Sequence, residues 1–181
     1  LLYSPFDGSG KVASETTSIG KNHVGYAYAE LAGFSGGAPE AYGQFFWEQK
    51  FWDEPIFIHA EYRGVSAGSY YESTAYLGGA YCIYSKHGYI AFEPLATWKQ
   101  NSGFGGQFSA VGGWEWKHFI IEHYTDLWKT HTMHTPIDIY SQTRLFIKVY
   151  KQLSAGVIGT IYYSPGNNIS EGVYVSLRWK L

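Results

Sequence analysis

The sequence predicts an all-β fold: a transmembrane antiparallel up-and-down β-barrel of about twelve strands, with short periplasmic turns. Three observations carry that expectation. Apolar and polar residues alternate with a period of two in one segment after another, which gives each strand two unlike faces. Most of these segments run to about 9 to 12 residues, against about 5 to 6 for an average strand, and at a tilt of about 45° roughly 9 to 11 residues cross a bilayer. Short turns alternate with longer connections rich in Gly, Ser, Asn and Pro, the pattern of a barrel with two differently built rims.

Leu1 to Asp7 and Lys11 to Ile19 are the first strands expected, joined at Gly8 to Gly10, which is short where the alternation asks for a long loop. His23 to Gly33 and Ala41 to Trp52 follow, flanking the Gly/Pro-rich stretch Phe34 to Glu40. Ile56 to Gly64 sets Ile56, Ile58, Ala60 and Tyr62 against Phe57, His59, Glu61 and Arg63. Tyr71 to Tyr84 and Tyr89 to Lys99 lie between the loop Val65 to Tyr70, the turn Ser85 to Gly88 and the glycine-rich stretch Gln100 to Gly106. Gln107 to Lys117 places Phe108, Ala110, Gly112, Trp114 and Trp116 on one face. Phe119 to Lys129 and Ile137 to Tyr150 flank Thr130 to Pro136, and Ala155 to Tyr163 and Gly172 to Leu181 flank Ser164 to Glu171. The last strand alternates Val173, Val175, Leu177 and Trp179 with Tyr174, Ser176, Arg178 and Lys180. No segment offers a helical stripe, and no apolar run approaches the length of about 18 to 20 residues that a spanning helix needs.

Composition narrows the function classes. The 181 residues form one expected domain, 19% aromatic and 15% charged, with a net charge of -2. Without a basic excess there is no electrostatic grip on a nucleic-acid polymer, and 45% hydrophobic residues exclude disorder. Cys82 stands alone, so cysteine supplies neither a disulfide framework nor a zinc site. A start at Leu1 without Met is read as a processed or trimmed end, in keeping with export.

The charges choose between a soluble barrel and a membrane one. A soluble barrel keeps its interior apolar, and burying Glu48 with Lys50, Glu61 with Arg63, Glu115 with Lys117 and Arg144 with Lys148 in a dry core is costly. A wet lumen removes that cost. With the polar faces turned inward, the expected solute pathway is lined by Glu48, Lys50, His59, Glu61, Arg63, Glu72, Glu93, Glu115, Lys117, Glu122, Tyr124, Asp126, Tyr140, Arg144, Phe146, Lys148 and Arg178. Acids gather in the middle strands and bases in the last, so opposite walls are expected to carry opposite signs. Trp47, Trp98, Trp114, Trp116 and Trp179 fall on the outer face, where an interfacial girdle belongs.

Phe46 to Trp52 (FWEQKFW), Pro55 to Arg63 (PIFIHAEYR), the strand Ala75 to Tyr84 and Tyr124 to Lys129 (YTDLWK) resemble the nucleoside-specific channel-forming (Tsx-like) outer-membrane porins, and most of all an uncharacterised sister branch of that superfamily. The opening Leu2 to Asp7 (LYSPFD) and the closing Val175 to Leu181 (VSLRWKL) share the likeness, although Leu181 stands where the family ends on Phe. The resemblance implies a monomeric 12-stranded barrel of the bacterial outer membrane, and it carries over no binding residue.

The function expected is passive diffusion of small polar solutes, nucleoside-like among them, across a lipid bilayer faced with lipopolysaccharide. The alternative is a structural or accessory barrel whose lumen is plugged by side chains and which docks an outer-membrane protein partner. No Ser, His and acid spacing singles out an enzyme, and no cofactor is called for. His131 and His134 stand three apart with Asp138 nearby, a weak metal signal because a usable site needs a third or fourth ligand and a second shell, so no metal is expected, and His59 reads as a lumen hydrogen-bonder. Gly36-Gly37 and Gly103 to Gly106 precede no helix, so neither is a phosphate loop.

Overall fold

The computed structural model describes residues 2–3, 10–19, 22–32, 40–51, 55–67, 69–130, 137–166 and 169–179. Its strands are β1 (Leu2–Tyr3), β2 (Gly10–Ile19), β3 (His23–Ala32), β4 (Glu40–Phe51), β5 (Ile56–Ala67), β6 (Tyr70–Tyr84), β7 (Gly88–Lys99), β8 (Gly103–Glu115), β9 (Phe119–Thr130), β10 (Asp138–Tyr150), β11 (Leu153–Tyr163) and β12 (Ser170–Trp179). Each pairs antiparallel with its neighbours in sequence, and β1 also pairs with β12, Leu2 opposite Ser176 and Tyr3 opposite Val175. The sheet therefore closes into a barrel. Closure matters because an open edge would leave N–H and C=O groups unpaired in hydrocarbon, which no lipid can satisfy.

The two surfaces are inverted relative to a soluble protein. Leu77 and Val149 are 62% exposed on the outside, whereas His59 is 1% and Asp126 2% exposed on the inside. Water would penalise such an outer wall, and lipid removes the penalty. The fold is a transmembrane antiparallel up-and-down β-barrel.

Short turns join the strands on one rim. Ser85 shapes one of them, its N–H donating to the Gly88 carbonyl at 2.8 Å while its hydroxyl accepts the Gly88 N–H at 3.1 Å. Two connections on the opposite rim are tighter than the sequence implies. β5 continues through Val65 to Ala67, and β8 begins at Gly103 instead of Gln107, leaving a turn over Gln100–Ser102. There the Ser102 N–H donates to the Lys99 carbonyl at 3.1 Å and Gly103 adopts φ of 80°, a conformation that glycine reaches without strain. Only this glycine serves the turn; Gly105 and Gly106 extend the strand against Thr97 and Ala96. The Gly8 to Gly10 connection falls largely outside the described residues, as do Phe34 to Pro39 and His131 to Pro136.

Pro94 lies inside β7 and brings no N–H to the ladder. Pairing with β6 runs from Gly78 opposite Leu95 to Tyr81 opposite Phe92 and skips the Pro94 and Glu93 positions. Gly78 meets this irregularity because a Cβ there would stand 2.1 Å from the Pro94 carbonyl oxygen.

Candidate functional site

Alternate side chains of β3 to β12 converge inside the barrel. Antiparallel register puts Glu48 of β4 opposite His59 of β5. His59 Nδ1 lies 3.1 Å from Glu48 Oε1, and Nε2 lies 3.2 Å from Glu61 Oε2. Both are donations only when the ring carries two protons; a neutral ring donates through one nitrogen. Glu61 also accepts the Gln44 amide at 2.6 Å and the Arg63 guanidinium, and Arg63 crosses to Asp126 of β9 with Nη1 3.0 Å from Oδ2. Phe46 stacks on His59 with ring centres 5.3 Å apart, and Arg63 sits 4.6 Å above the Tyr76 ring. Glu93 of β7 completes the group, its carboxylate within 4.8 Å of the ligand atoms of Glu48 and His59.

A second group spans β9, β10 and β12. Arg178 donates to both oxygens of Glu122, at 2.8 and 3.0 Å, while its guanidinium lies 4.7 Å from the Phe146 ring centre. Arg144 stands 3.6 Å from the same carboxylate and donates to Gln142 Oε1 at 2.6 Å. Tyr124 and Tyr140 pack with ring centres 5.4 Å apart. Towards the rims, Lys148 pairs with Glu115 and Lys99 with Glu72, the latter at 2.7 Å. The acids of β4, β5 and β7 and the bases of β10 and β12 do occupy different walls, but Glu122 and Asp126 on β9 bridge them. Pairing thus takes up much of the transverse field that the charge pattern suggests.

Lys50 shares the face of Glu48 and is half-buried. Lys117 lies in the exposed turn between β8 and β9, off the barrel wall. Trp47, Trp98 and Trp116 are exposed outside the barrel, and Trp114 lies over Gly112 and Gly88 on the same surface. Trp128 departs from this one-sided placement, since it shares the face of Asp126 and stacks on Tyr162 with ring centres 5.9 Å apart. The side chain of Trp179, and His131 and His134, lie outside the described residues.

Reasoning from charged pairs misses the parts of the lumen that β3 and β8 contribute. Tyr26, Tyr28 and Glu30 line it from β3, with Tyr28 donating to Glu30 at 2.6 Å and Tyr26 stacked on Phe46. Gln107 donates to Ser109 at 2.8 Å on β8, both buried. The signal was present in the alternation of Tyr26, Tyr28 and Glu30 with Gly25, Ala27, Ala29 and Leu31, but small outward residues blur the contrast between the faces.

A cavity of about 230 Å³ opens at the rim of the β5–β6 and β7–β8 hairpins, lined among others by Tyr42, Arg63, Glu72, Tyr76, Lys99 and Trp128. Below it the charged girdle closes in, with Glu48, His59, Glu61, Glu93 and Asp126 all between 1% and 8% exposed. Further towards the short-turn rim, Phe57, Ala80, Cys82 and Ala91 form an apolar cluster.

A scan against protein-family models and a search of curated proteins find no match. Solved structures do match over almost the whole chain. The NanC porin aligns with a TM-score of 0.68 at 10% identity, covering 99% of this chain and 97% of its own. The KdgM porin, in complex with disordered oligogalacturonate, aligns with a TM-score of 0.61 at 13% identity, covering 96% and 92%. These likenesses agree with the porin barrel that the Tsx-like resemblance implied and lend nothing to its nucleoside specificity. The chain has the fold of the outer-membrane porins.

Proposed function

We propose that this protein is a channel of the bacterial outer membrane through which small polar solutes diffuse passively. The observation that carries this reading is the cavity at one rim, where the cations Arg63 and Lys99 and the rings of Tyr42, Tyr76 and Trp128 meet one solute-sized space. Rings stack on a planar or ring-shaped solute and cations orient its polar end. Nucleosides fit that description, and so do acidic sugars of the kind that accompanies KdgM. Lipid and lipopolysaccharide surround the apolar wall, no cofactor is involved, and the role is transport and not catalysis.

The buried girdle favours a second reading, an accessory barrel that is plugged by its own side chains and docks an outer-membrane protein partner. Planar-bilayer recording separates the two. Unit openings that uridine or a galacturonate oligomer reduces support the channel and name its solute class, whereas silence together with a stable co-purifying partner supports the accessory barrel. In a conducting barrel, Arg144→Glu and Arg178→Glu are expected to shift the reversal potential in a salt gradient towards cation selectivity; an unchanged potential counts against these side chains lining the pathway.

A further inference from the structure

The girdle holds more negative charge than its hydrogen bonds account for. Glu48, Glu61, Glu93 and Asp126 are each less than 10% exposed, and Arg63 is the guanidinium among them. Arg63 is engaged with Glu61 and Asp126. That leaves Glu48 and Glu93 facing His59. Glu93 is 8% exposed and makes no hydrogen bond or ion pair with the described residues, yet its carboxylate points into the group formed with Glu48 and His59. A carboxylate largely withdrawn from water beside a second carboxylate is costly, and a cation held between the two relieves that cost; among the described residues no fully buried side-chain polar atom lacks a partner, so the Glu93 oxygens keep a residual contact with the lumen.

We propose that Glu48, His59 and Glu93 bind a divalent transition-metal ion of the zinc class. One ligand atom from each lies within 4.8 Å of the others, close enough for small side-chain rotations to enclose one ion. An imidazole with two carboxylates suits zinc or cobalt better than calcium or magnesium, which prefer oxygen alone. The surroundings match such a site. The Nδ1 that faces Glu48 offers its lone pair to the metal, its proton leaving to solvent, while the Nε2 N–H donates to Glu61. Glu61 is in turn held by Gln44 and Arg63, and Arg63 by Asp126. This chain of contacts fixes the tautomer and orientation of the ligating ring, as carboxylate-backed histidines do at zinc sites. Three protein ligands leave a position open to the lumen.

The test is binding, which does not depend on whether the barrel conducts. Full-length barrel, refolded in detergent and stripped with a chelator, is titrated with zinc chloride by calorimetry and with cobalt(II) by visible absorption. The expected result is one saturable zinc per barrel, weakened at least about tenfold in Glu93→Gln and in His59→Gln, and unaffected in the double variant His131→Ala, His134→Ala. His59→Gln is also expected to change the cobalt absorption band. Glu93→Gln preserves shape and removes only charge, so it decides alone if His59→Gln fails to fold. Absence of saturable binding, wild-type affinity in Glu93→Gln, or loss of binding only in the His131/His134 variant overturns the proposal.

Discussion

At the residue scale, Arg63 joins the lumen together. It neutralises Glu61, reaches Asp126 on the far strand and covers the Tyr76 ring, although it occupies a single inward position of β5. Replacing it by Met keeps much of the volume and takes the guanidinium from two buried carboxylates, of which Glu61 keeps Gln44 and His59, a loss of about 3 to 5 kcal/mol when a pair is broken from one side. Arg63→Met is therefore expected to unfold at clearly lower urea, followed by tryptophan fluorescence, and the double variant Arg63→Met, Asp126→Asn to recover part of that loss. Arg63 and Glu61 were legible as a lumen pair because two residues apart on a strand means the same face. Asp126 as the third member was not, since 63 positions separate it from Arg63 and only barrel closure brings them to 3.0 Å.

The strand is the next scale, and here the period of two carries nearly everything. β11 shows it plainly: Ser154 and Ile158 are buried inside, while Val157 and Ile161 are 45% and 51% exposed outside. A charge on the outer face near the middle of a strand costs about 2 to 4 kcal/mol in a bilayer. Val157→Arg is expected to lose about that much stability in folding titrations into lipid vesicles, and to lose much less in detergent, where the side chain can reach water. Equal losses in both would count against a lipid-facing position. Strand ends were less legible than strand faces. Gln100 to Gly106 reads as loop because glycine is the commonest turn signal, yet only Gly103 uses the positive φ that glycine permits, and the rest of the run is held in β8 by pairing with β7.

For the whole molecule, closure explains how a chain of moderate hydrophobicity forms a membrane protein without an apolar segment long enough to span as a helix. Each strand contributes half its residues to lipid and half to the lumen, so the average hydropathy conceals two surfaces. Closure through β1 and β12 predicts a barrel that resists detergent at room temperature. Unheated protein should migrate faster on a gel than boiled protein, with one cooperative change as temperature rises. A variant lacking Leu1 to Tyr3 should lose the fast band at a lower temperature, because β12 then has an unpaired edge. Equal migration with and without heat would be inconsistent with the closed barrel.

Sequence alone determined the class, the approximate strand count and the face of most side chains, because each depends on local periodicity and on the incompatibility of paired charges with a dry core. Tertiary structure alone decided which charges meet between distant strands. Whether Arg178 finds Glu122 and Arg63 finds Asp126 depends on the register accumulated around the barrel, and no local pattern encodes it. For the same reason His59 reads from the chain as a lumen hydrogen-bonder two residues from Glu61, and becomes a metal-binding candidate only once β4 brings Glu48 to its Nδ1 and β7 brings Glu93 within reach of the pair.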